Sequence, residues 1–152
     1  MVIGAIFAGG IGSRMGSADM PKQYLQLGSK PIIVHTIEKF VVNPGIDRII
    51  VLCPKAWIAH TKDLVKKYLG EAIAEKINVV EGGSTRNGTL ENALKFINEN
   101  FAIDDDSVIV THDAVRPFVT HRIIDENIEA AKKYGACDTV IPATDTIVRS
   151  ED

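Results

Sequence analysis

Short apolar runs alternate with segments of helical period along this chain, and that alternation limits the possible folds more than any other feature. Val2 to Ala8, Ile46 to Cys53, Ile77 to Val80, Val108 to Thr111 and Cys137 to Ile141 are the apolar runs. They are mostly continuous rather than alternating, which suits strands covered on both faces. After Pro31, the residues Ile33, Val34, Ile37, Phe40 and Val41 follow helical spacing until Asn43-Pro44-Gly45 stops them. Further helices are expected around Ile58 to Leu69, Asn87 to Asn98 and Ile123 to Tyr134. Strands alternating with helices of this length predict a three-layer α/β/α sandwich, doubly wound around a mostly parallel sheet. A chain of 152 residues is the size of one domain, expected to span 1–152. It shows no internal repeat, low-complexity stretch or linker, and Asp104-Asp105-Asp106 reads as a solvated turn before a strand.

Charge and composition remove several function classes. Lys and Arg number 17 against 20 Asp and Glu, a net charge of -3, so there is no excess of basic charge to neutralise a nucleic-acid backbone or an anionic membrane. Any anion must be bound locally. With 45% hydrophobic and 24% charged residues, intrinsic disorder is excluded. The two cysteines, Cys53 and Cys137, both lie in apolar runs, so both are expected buried and reduced, without a disulfide framework. The N-terminal run has no basic residues before it and is broken by Gly9-Gly10, so it reads as neither a secretion signal nor a membrane span. The cytoplasm is the expected compartment.

Open α/β sheets bind ligands beyond the carboxyl ends of their strands. At those ends the sequence places Gly9 to Gly16, Gly82 to Gly88, His112 to Pro117 and Pro142 to Thr146. The first of these fails two common readings. Gly10-x-Gly12 is followed by Met15 where a dinucleotide fingerprint needs a third glycine, and no acidic residue ends the second strand to hold a ribose. A Walker loop needs Gly-Lys-Ser/Thr, but Gly16 is followed by Ser17 and Ala18. What remains is a long glycine-rich loop with Arg14, followed by Lys22 in Pro21-Lys22-Gln23. Backbone N–H groups with an Arg and a Lys suit the phosphates of a nucleoside triphosphate. The plain alternative is a strand-to-loop turn with two solvated charges.

Asp113, at a strand end facing such a site, is a candidate Mg²⁺ ligand, because Mg²⁺ takes one or two carboxylates plus substrate phosphates. Its alternative is a local turn or an ion pair with Arg116. His112 reads more readily as a packed or capping residue than as a catalyst. Ser84 or Thr85 can cap the following helix, and hydroxyls there can also read the polar edge of a base. Cys53 and Cys137 read as core and Trp57 as helix packing.

Four segments together, Ala8-Gly9-Gly10-Ile11-Gly12-Ser13-Arg14-Met15, Pro21-Lys22-Gln23-Tyr24, Gly82-Gly83-x-x-Arg86 and His112-Asp113-Ala114-Val115-Arg116-Pro117, resemble the cytidylyltransferases that join CTP to a polyol phosphate. The order and spacing match over the whole chain. The family has a branch acting on ribitol 5-phosphate in teichoic-acid synthesis and one acting on 2-C-methyl-D-erythritol 4-phosphate in isoprenoid synthesis. Phe7-Ala8-Gly9-Gly10, Val115 and Cys137-Asp138-Thr139-Val140-Ile141-Pro142 resemble the ribitol branch.

The resemblance implies a nucleotide-diphospho-sugar transferase-like fold and transfer of CMP from CTP to the acceptor, giving CDP-ribitol and pyrophosphate in the ribitol branch. It implies Arg14 and Lys22 as catalytic residues. CTP would lie against Phe7, Ala8, Gly9, Gly10, Gly82, Gly83, Ser84, Thr85, Arg86, Asn87, Gly88, Thr89 and Asp113. Asp113 would sit by the ribose and a Mg²⁺ ion, and Arg116, Asp145 and Thr146 would face the acceptor phosphate across a homodimer interface. Relatives run on beyond the equivalent of Asp152, so a C-terminally truncated chain is expected. Two other readings compete: a nucleotide-binding module without chemistry, and a sugar-nucleotide pyrophosphorylase using UTP or GTP, which base selectivity would separate.

Overall fold

The computed structural model describes residues 1–10, 20–144, 146 and 148. Arg14 and Asp145 therefore lie outside the described residues, as does most of the strand-like run from Asp145 to Arg149. The described elements run β1 (Val2–Phe7), β2 (Gln26–Leu27), β3 (Lys30–Pro31), α1 (Ile32–Val41), β4 (Arg48–Cys53), α2 (Ile58–Leu69), α3 (Glu71–Ala74), β5 (Ile77–Glu81), α4 (Arg86–Asn100), β6 (Val108–Asp113) and α5 (His121–Tyr134).

The main sheet is parallel, with strand order β5-β4-β1-β6. Phe7 pairs with Leu52 on one side and with Asp113 on the other, so the ends of β1, β4 and β6 lie side by side. The crossovers through α1 and α2 step the chain from β1 to β4 to β5, and the crossover through α4 carries it back past β1 to β6. Right-handed crossovers running in opposite directions place their helices on opposite faces. Residues of α1, α2 and α5 accordingly pack with Val2, Ile6, Ile49 and Val51, while Ala93 and Ile97 of α4 pack with Ile3, Ala5, Ile50 and Leu52. The reversal of strand order falls at β1, which is where a crevice opens in such sheets.

Each element follows from its residues. In α1 the buried side chains Ile33, Val34, Ile37 and Phe40 form one stripe. Gly4 makes this close packing possible, because a Cβ there would stand 2.6 Å from Phe40 Cδ1. Asn43 ends the α1 segment with a local turn, its Oδ1 accepting from the Gly45 N–H at 2.7 Å, and its amide donates to Asp125 of α5 at 2.8 Å. Thr85 and Thr120 cap α4 and α5 through their hydroxyls, and Gly135, at φ +86°, closes α5.

Two expectations need correction. Cys137 to Ile141 is not a strand, and Cys137, Val140 and Ile141 are exposed. A strand needs a partner ladder, and here the segment instead holds to α5, where the Asn127 amide donates to Thr139 Oγ1 at 2.7 Å and the Cys137 thiol to the Asn127 carbonyl. Among the described residues β6 is thus an edge strand, and only Cys53 of the two thiols is buried. The Asp104–Asp106 segment is a turn as expected, closed by Ser107 Oγ donating to Asp104 Oδ1 at 2.7 Å.

Candidate functional site

At the carboxyl end of β1 most backbone groups serve the fold. The Phe7 carbonyl accepts from Ala114 N–H at 2.9 Å, and the Ala8 N–H donates to the Leu52 carbonyl at 2.7 Å. The Gly9 and Gly10 N–H groups, by contrast, find no acceptor among the described residues. Around Gly10 there is also space: among those residues nothing lies within 4 Å of where its Cβ would stand. This turn therefore offers donors to an approaching anion, and Phe7 contributes its ring rather than its backbone.

Beside it, Lys22, Gln23 and Tyr24 form one turn of 3₁₀ helix. Lys22 is half-buried and has no ion-pair partner among the described residues. Gln23 and Tyr24 point inward and are buried. Gln23 Nε2 donates to the Ala8 carbonyl at 2.6 Å. The Tyr24 hydroxyl meets Thr61 Oγ1 of α2 at 2.8 Å, and its ring stacks on Trp57 at 4.5 Å between centroids. Burial pushes the Tyr24 phenol far up, against a smaller opposing effect of the Thr61 bond, so Tyr24 is a neutral anchor at any working pH. Burial likewise raises the neighbouring Cys53 thiol, which disqualifies it as a nucleophile.

The turn between β5 and α4 is built on close contacts. A Cβ on Gly83 would lie 2.3 Å from the Gly88 carbonyl carbon and 2.6 Å from Thr89 N, so only glycine fits against the first turn of α4. Thr85 Oγ1 accepts from the Gly88 N–H at 3.0 Å as the helix cap. Thr89, expected as a hydroxyl near the base, is buried instead. Its Oγ1 accepts from Gly83 N–H at 3.1 Å and lies 2.9 Å from the Thr85 carbonyl, joining the glycine turn to the helix. Its O–H donor and one of its two acceptor lone pairs are taken by backbone. Ser84 and Asn87 are exposed and accessible to a ligand.

Asp113 is the electrostatic centre. Its Oδ1 accepts from Arg86 Nη1 at 2.5 Å and its Oδ2 from Arg116 Nε at 3.0 Å. The Arg86 guanidinium also lies over the Phe7 ring, 5.5 Å from its centroid. Partial burial pushes the Asp113 carboxyl up, but the hydrogen bonds from Arg86 and Arg116 outweigh it and hold the group below the ordinary carboxylate range. The ion-pair alternative is therefore the arrangement found. Both carboxylate oxygens are engaged by guanidinium groups, and the described residues contain no cluster of three or more His, Cys, Asp or Glu side chains suited to a metal. Each Asp113 oxygen keeps a further lone pair beyond its guanidinium contact. His112 caps the same turn, its Nε2 3.0 Å from the Arg116 carbonyl, and packs on Phe40.

Glycine N–H groups, Lys22, Arg86, Asp113 and Arg116 thus gather where the strand order reverses. Thr146 is exposed, on a segment without regular structure. A groove of about 1340 Å³ touches this site at Arg86, Asp113 and Arg116 and runs along the outer side of β6 to Thr139. In sequence Gln23 stands in the Pro21-Lys22-Gln23-Tyr24 segment without a role of its own, and the structure gives it one: its contact to Ala8 joins the lysine turn to the glycine turn. No helix among the described residues is long and apolar enough to cross a membrane.

The sequence model of the family described as 2-C-methyl-D-erythritol 4-phosphate cytidylyltransferase, IspD, matches residues 2–152. Among solved structures, 4-diphosphocytidyl-2C-methyl-D-erythritol synthase from Anaerococcus prevotii is 29% identical, with a TM-score of 0.64 over 87% of this chain and 51% of that one. Another 4-diphosphocytidyl-2C-methyl-D-erythritol synthase is 25% identical, with a TM-score of 0.73 over 99% of this chain and 63% of the other. The bifunctional IspDF of Campylobacter jejuni, at 23% identity, TM-score 0.64 and coverage of 87% and 31%, shares the fold. The chain thus spans between 51% and 63% of the length of the first two.

Proposed function

The chain belongs to the 2-C-methyl-D-erythritol 4-phosphate cytidylyltransferase (IspD) family, and from that premise we propose that the protein transfers CMP from CTP to a polyol phosphate. The observation that carries this reading is the convergence of the Gly9-Gly10 turn, Lys22 and the Arg86–Asp113–Arg116 cluster at the carboxyl ends of β1 and β6. An oxygen of the acceptor phosphate attacks the α-phosphorus of CTP in line. The bond from that phosphorus to the oxygen bridging to the β-phosphorus breaks, and pyrophosphate leaves with that oxygen. The Gly9 and Gly10 N–H groups receive phosphate oxygens, and Lys22 neutralises the charge that grows on the leaving group. Arg14 shares that role by resemblance. The turn from Gly82 to Gly88 walls the nucleoside side, with Ser84 and Asn87 as the hydroxyl and amide within its reach. By resemblance Arg116, Asp145 and Thr146 face the acceptor phosphate across the interface of a cytoplasmic homodimer, with Arg116 and the Thr146 hydroxyl as the donors to it. By resemblance Asp113 would hold a Mg²⁺ ion together with the CTP phosphates, and the ion would neutralise phosphate charge there.

Two acceptors are supported by different observations. The family match and the two solved synthases favour 2-C-methyl-D-erythritol 4-phosphate. The spellings at Phe7 to Gly10, Val115 and Cys137 to Pro142 favour D-ribitol 5-phosphate. Pyrophosphate release by the intact protein, measured with CTP, UTP, GTP and ATP against each acceptor, tests both halves. Selectivity for CTP supports cytidylyl transfer, and the ratio of kcat/KM for the two acceptors assigns the branch. Tight CTP binding with no release on either acceptor would overturn catalysis in favour of a binding module. A preference for UTP or GTP would move the protein to sugar-nucleotide chemistry.

A further inference from the structure

The geometry points to Gln23 as the positioning residue that sets Lys22 against the Gly9-Gly10 turn. This rests on the functional reading above, in which Lys22 meets the phosphates. Lys22 is a long, flexible side chain, and its usefulness depends on how firmly its backbone is placed. Gln23 fixes it from one side: buried, 1% exposed, it donates from Nε2 to the Ala8 carbonyl at 2.6 Å, directly beside the turn that offers N–H groups. The acceptor's identity settles the amide orientation, since a carbonyl can only accept. Tyr24 fixes the turn from the other side through Thr61 and Trp57 of the next layer. Lys22 thus stands on a single helical turn clamped at both ends, with Pro21 at φ -58° leading into it.

A stability role does not account for this amide. Gln23 Oε1 is buried and finds no hydrogen-bond partner among the described residues. One net hydrogen bond contributes about 0.5–1.5 kcal/mol, while an unsatisfied buried polar atom costs about 1–3 kcal/mol. An apolar side chain of the same length would remove the orphaned Oε1 and orphan the Ala8 carbonyl instead, an exchange that nearly cancels. What it would lose is the rigid link between the lysine turn and the glycine turn. Gln23 holds a distance rather than a fold.

The test compares Gln23→Met, Gln23→Glu, Lys22→Ala and the double variant Gln23→Met/Lys22→Ala in the intact protein. Steady-state cytidylyl transfer gives kcat and KM for CTP, and thermal unfolding is followed alongside. A displacement on the order of 1 Å at a reacting group costs about 100-fold in rate, so Gln23→Met should lower kcat about 10- to 100-fold. KM for CTP should stay within about threefold and the unfolding midpoint within a few degrees. In the Lys22→Ala background the same substitution should cost nothing further, because the group it positions is gone. Gln23→Glu supplies an independent arm that does not depend on tolerance of methionine: a protonated carboxyl can donate to the Ala8 carbonyl and an ionised one cannot. Its activity relative to wild type should therefore be restored as pH falls and lost as pH rises.

Equal loss from Gln23→Met with and without Lys22 would overturn the proposal, as would a Gln23→Glu profile parallel to that of wild type. If Lys22→Ala itself leaves turnover unchanged, the functional reading of Lys22 fails, and the positioning role falls with it.

Discussion

Gly83 and Gly10 sit in two turns that both face the site, yet the structure assigns them opposite sensitivities. An alanine at Gly83 would drive its Cβ to 2.3 Å from the Gly88 carbonyl carbon, 2.6 Å from Thr89 N and 2.7 Å from the Gly88 oxygen. All three are backbone atoms of the first turn of α4 and cannot rotate away. Relief requires the turn or the helix start to move, which overpacking data put at about 1–3 kcal/mol. Such movement also breaks the bond from Gly83 N–H to Thr89 Oγ1, worth about 1 kcal/mol more. At roughly 2–4 °C per kcal/mol for a chain of this size, Gly83→Ala should lower Tm by about 5–15 °C.

Gly10 is not among the described glycines of positive φ, and among the described residues nothing lies within 4 Å of where its Cβ would stand. Gly10→Ala should therefore leave Tm unchanged or raise it slightly, by the entropy it removes from the unfolded chain. Its effect should fall on the ligand, with CTP affinity reduced about tenfold or more as the methyl group obstructs the phosphate approach. Differential scanning fluorimetry with and without CTP reads both effects. A Tm loss below about 2 °C for Gly83→Ala, or equal CTP stabilisation of wild type and Gly10→Ala, would refute this division.

Other consequences follow from contacts described above. Gly4→Ala should destabilise the protein by about 1–2 kcal/mol, less than Gly83→Ala, because the clash is with the Phe40 ring rather than backbone; urea unfolding measures it, and adding Phe40→Leu should recover part of the loss. Asp113 has a depressed folded pKa, so its stabilisation is present above the ordinary carboxylate range and lost as pH falls through the folded value. The stability gap between wild type and Asp113→Asn should accordingly narrow from pH 7 toward pH 3, and a constant gap would contradict the two-arginine arrangement. Exposed Cys137 should react with a thiol reagent in the native protein, while buried Cys53 should react only on unfolding. A native titre of two thiols would contradict the burial of Cys53.

The four strands of the main sheet were legible because continuous apolar runs such as Ile49 to Cys53 have no other comfortable place than between two layers. The run from Cys137 to Ile141 has the same spelling, yet pairing is not a local property, and the described chain gives it no ladder. The short hairpin of β2 and β3 and the helix α3 were illegible, since two to four residues carry no measurable period. In the site, residue type revealed Lys22 and Asp113 but not the use of their atoms. Whether Asp113 holds a metal or two guanidiniums depends on where β6 and α4 bring Arg86 and Arg116, separated in sequence but adjacent in space. Thr89 was placed against CTP by the family resemblance alone. Burial against the Gly83 turn gives it other partners.

Among the described residues the outer side of β6 carries no strand, and this bears on how the chain behaves in concentrated solution. Val108-Ile109-Val110-Thr111 is β-branched throughout, with neither charge nor proline, and its outer N–H and C=O groups are a template for another extended chain. The segment that precedes it is Asp104-Asp105-Asp106, and the strand ends at Asp113. If two copies paired antiparallel along this edge about a two-fold axis, the acidic turn of one would face Asp113 of the other, like charge against like. The acidic turn thus acts as a gatekeeper for the strand beside it, and its protection vanishes once those carboxylates are protonated. Edge-to-edge association should set in only as pH falls below the ordinary carboxylate range, since Asp104 and Asp113 both hold their charge more firmly than a free carboxylate, and an Asp104→Asn/Asp105→Asn/Asp106→Asn variant should show it near neutrality.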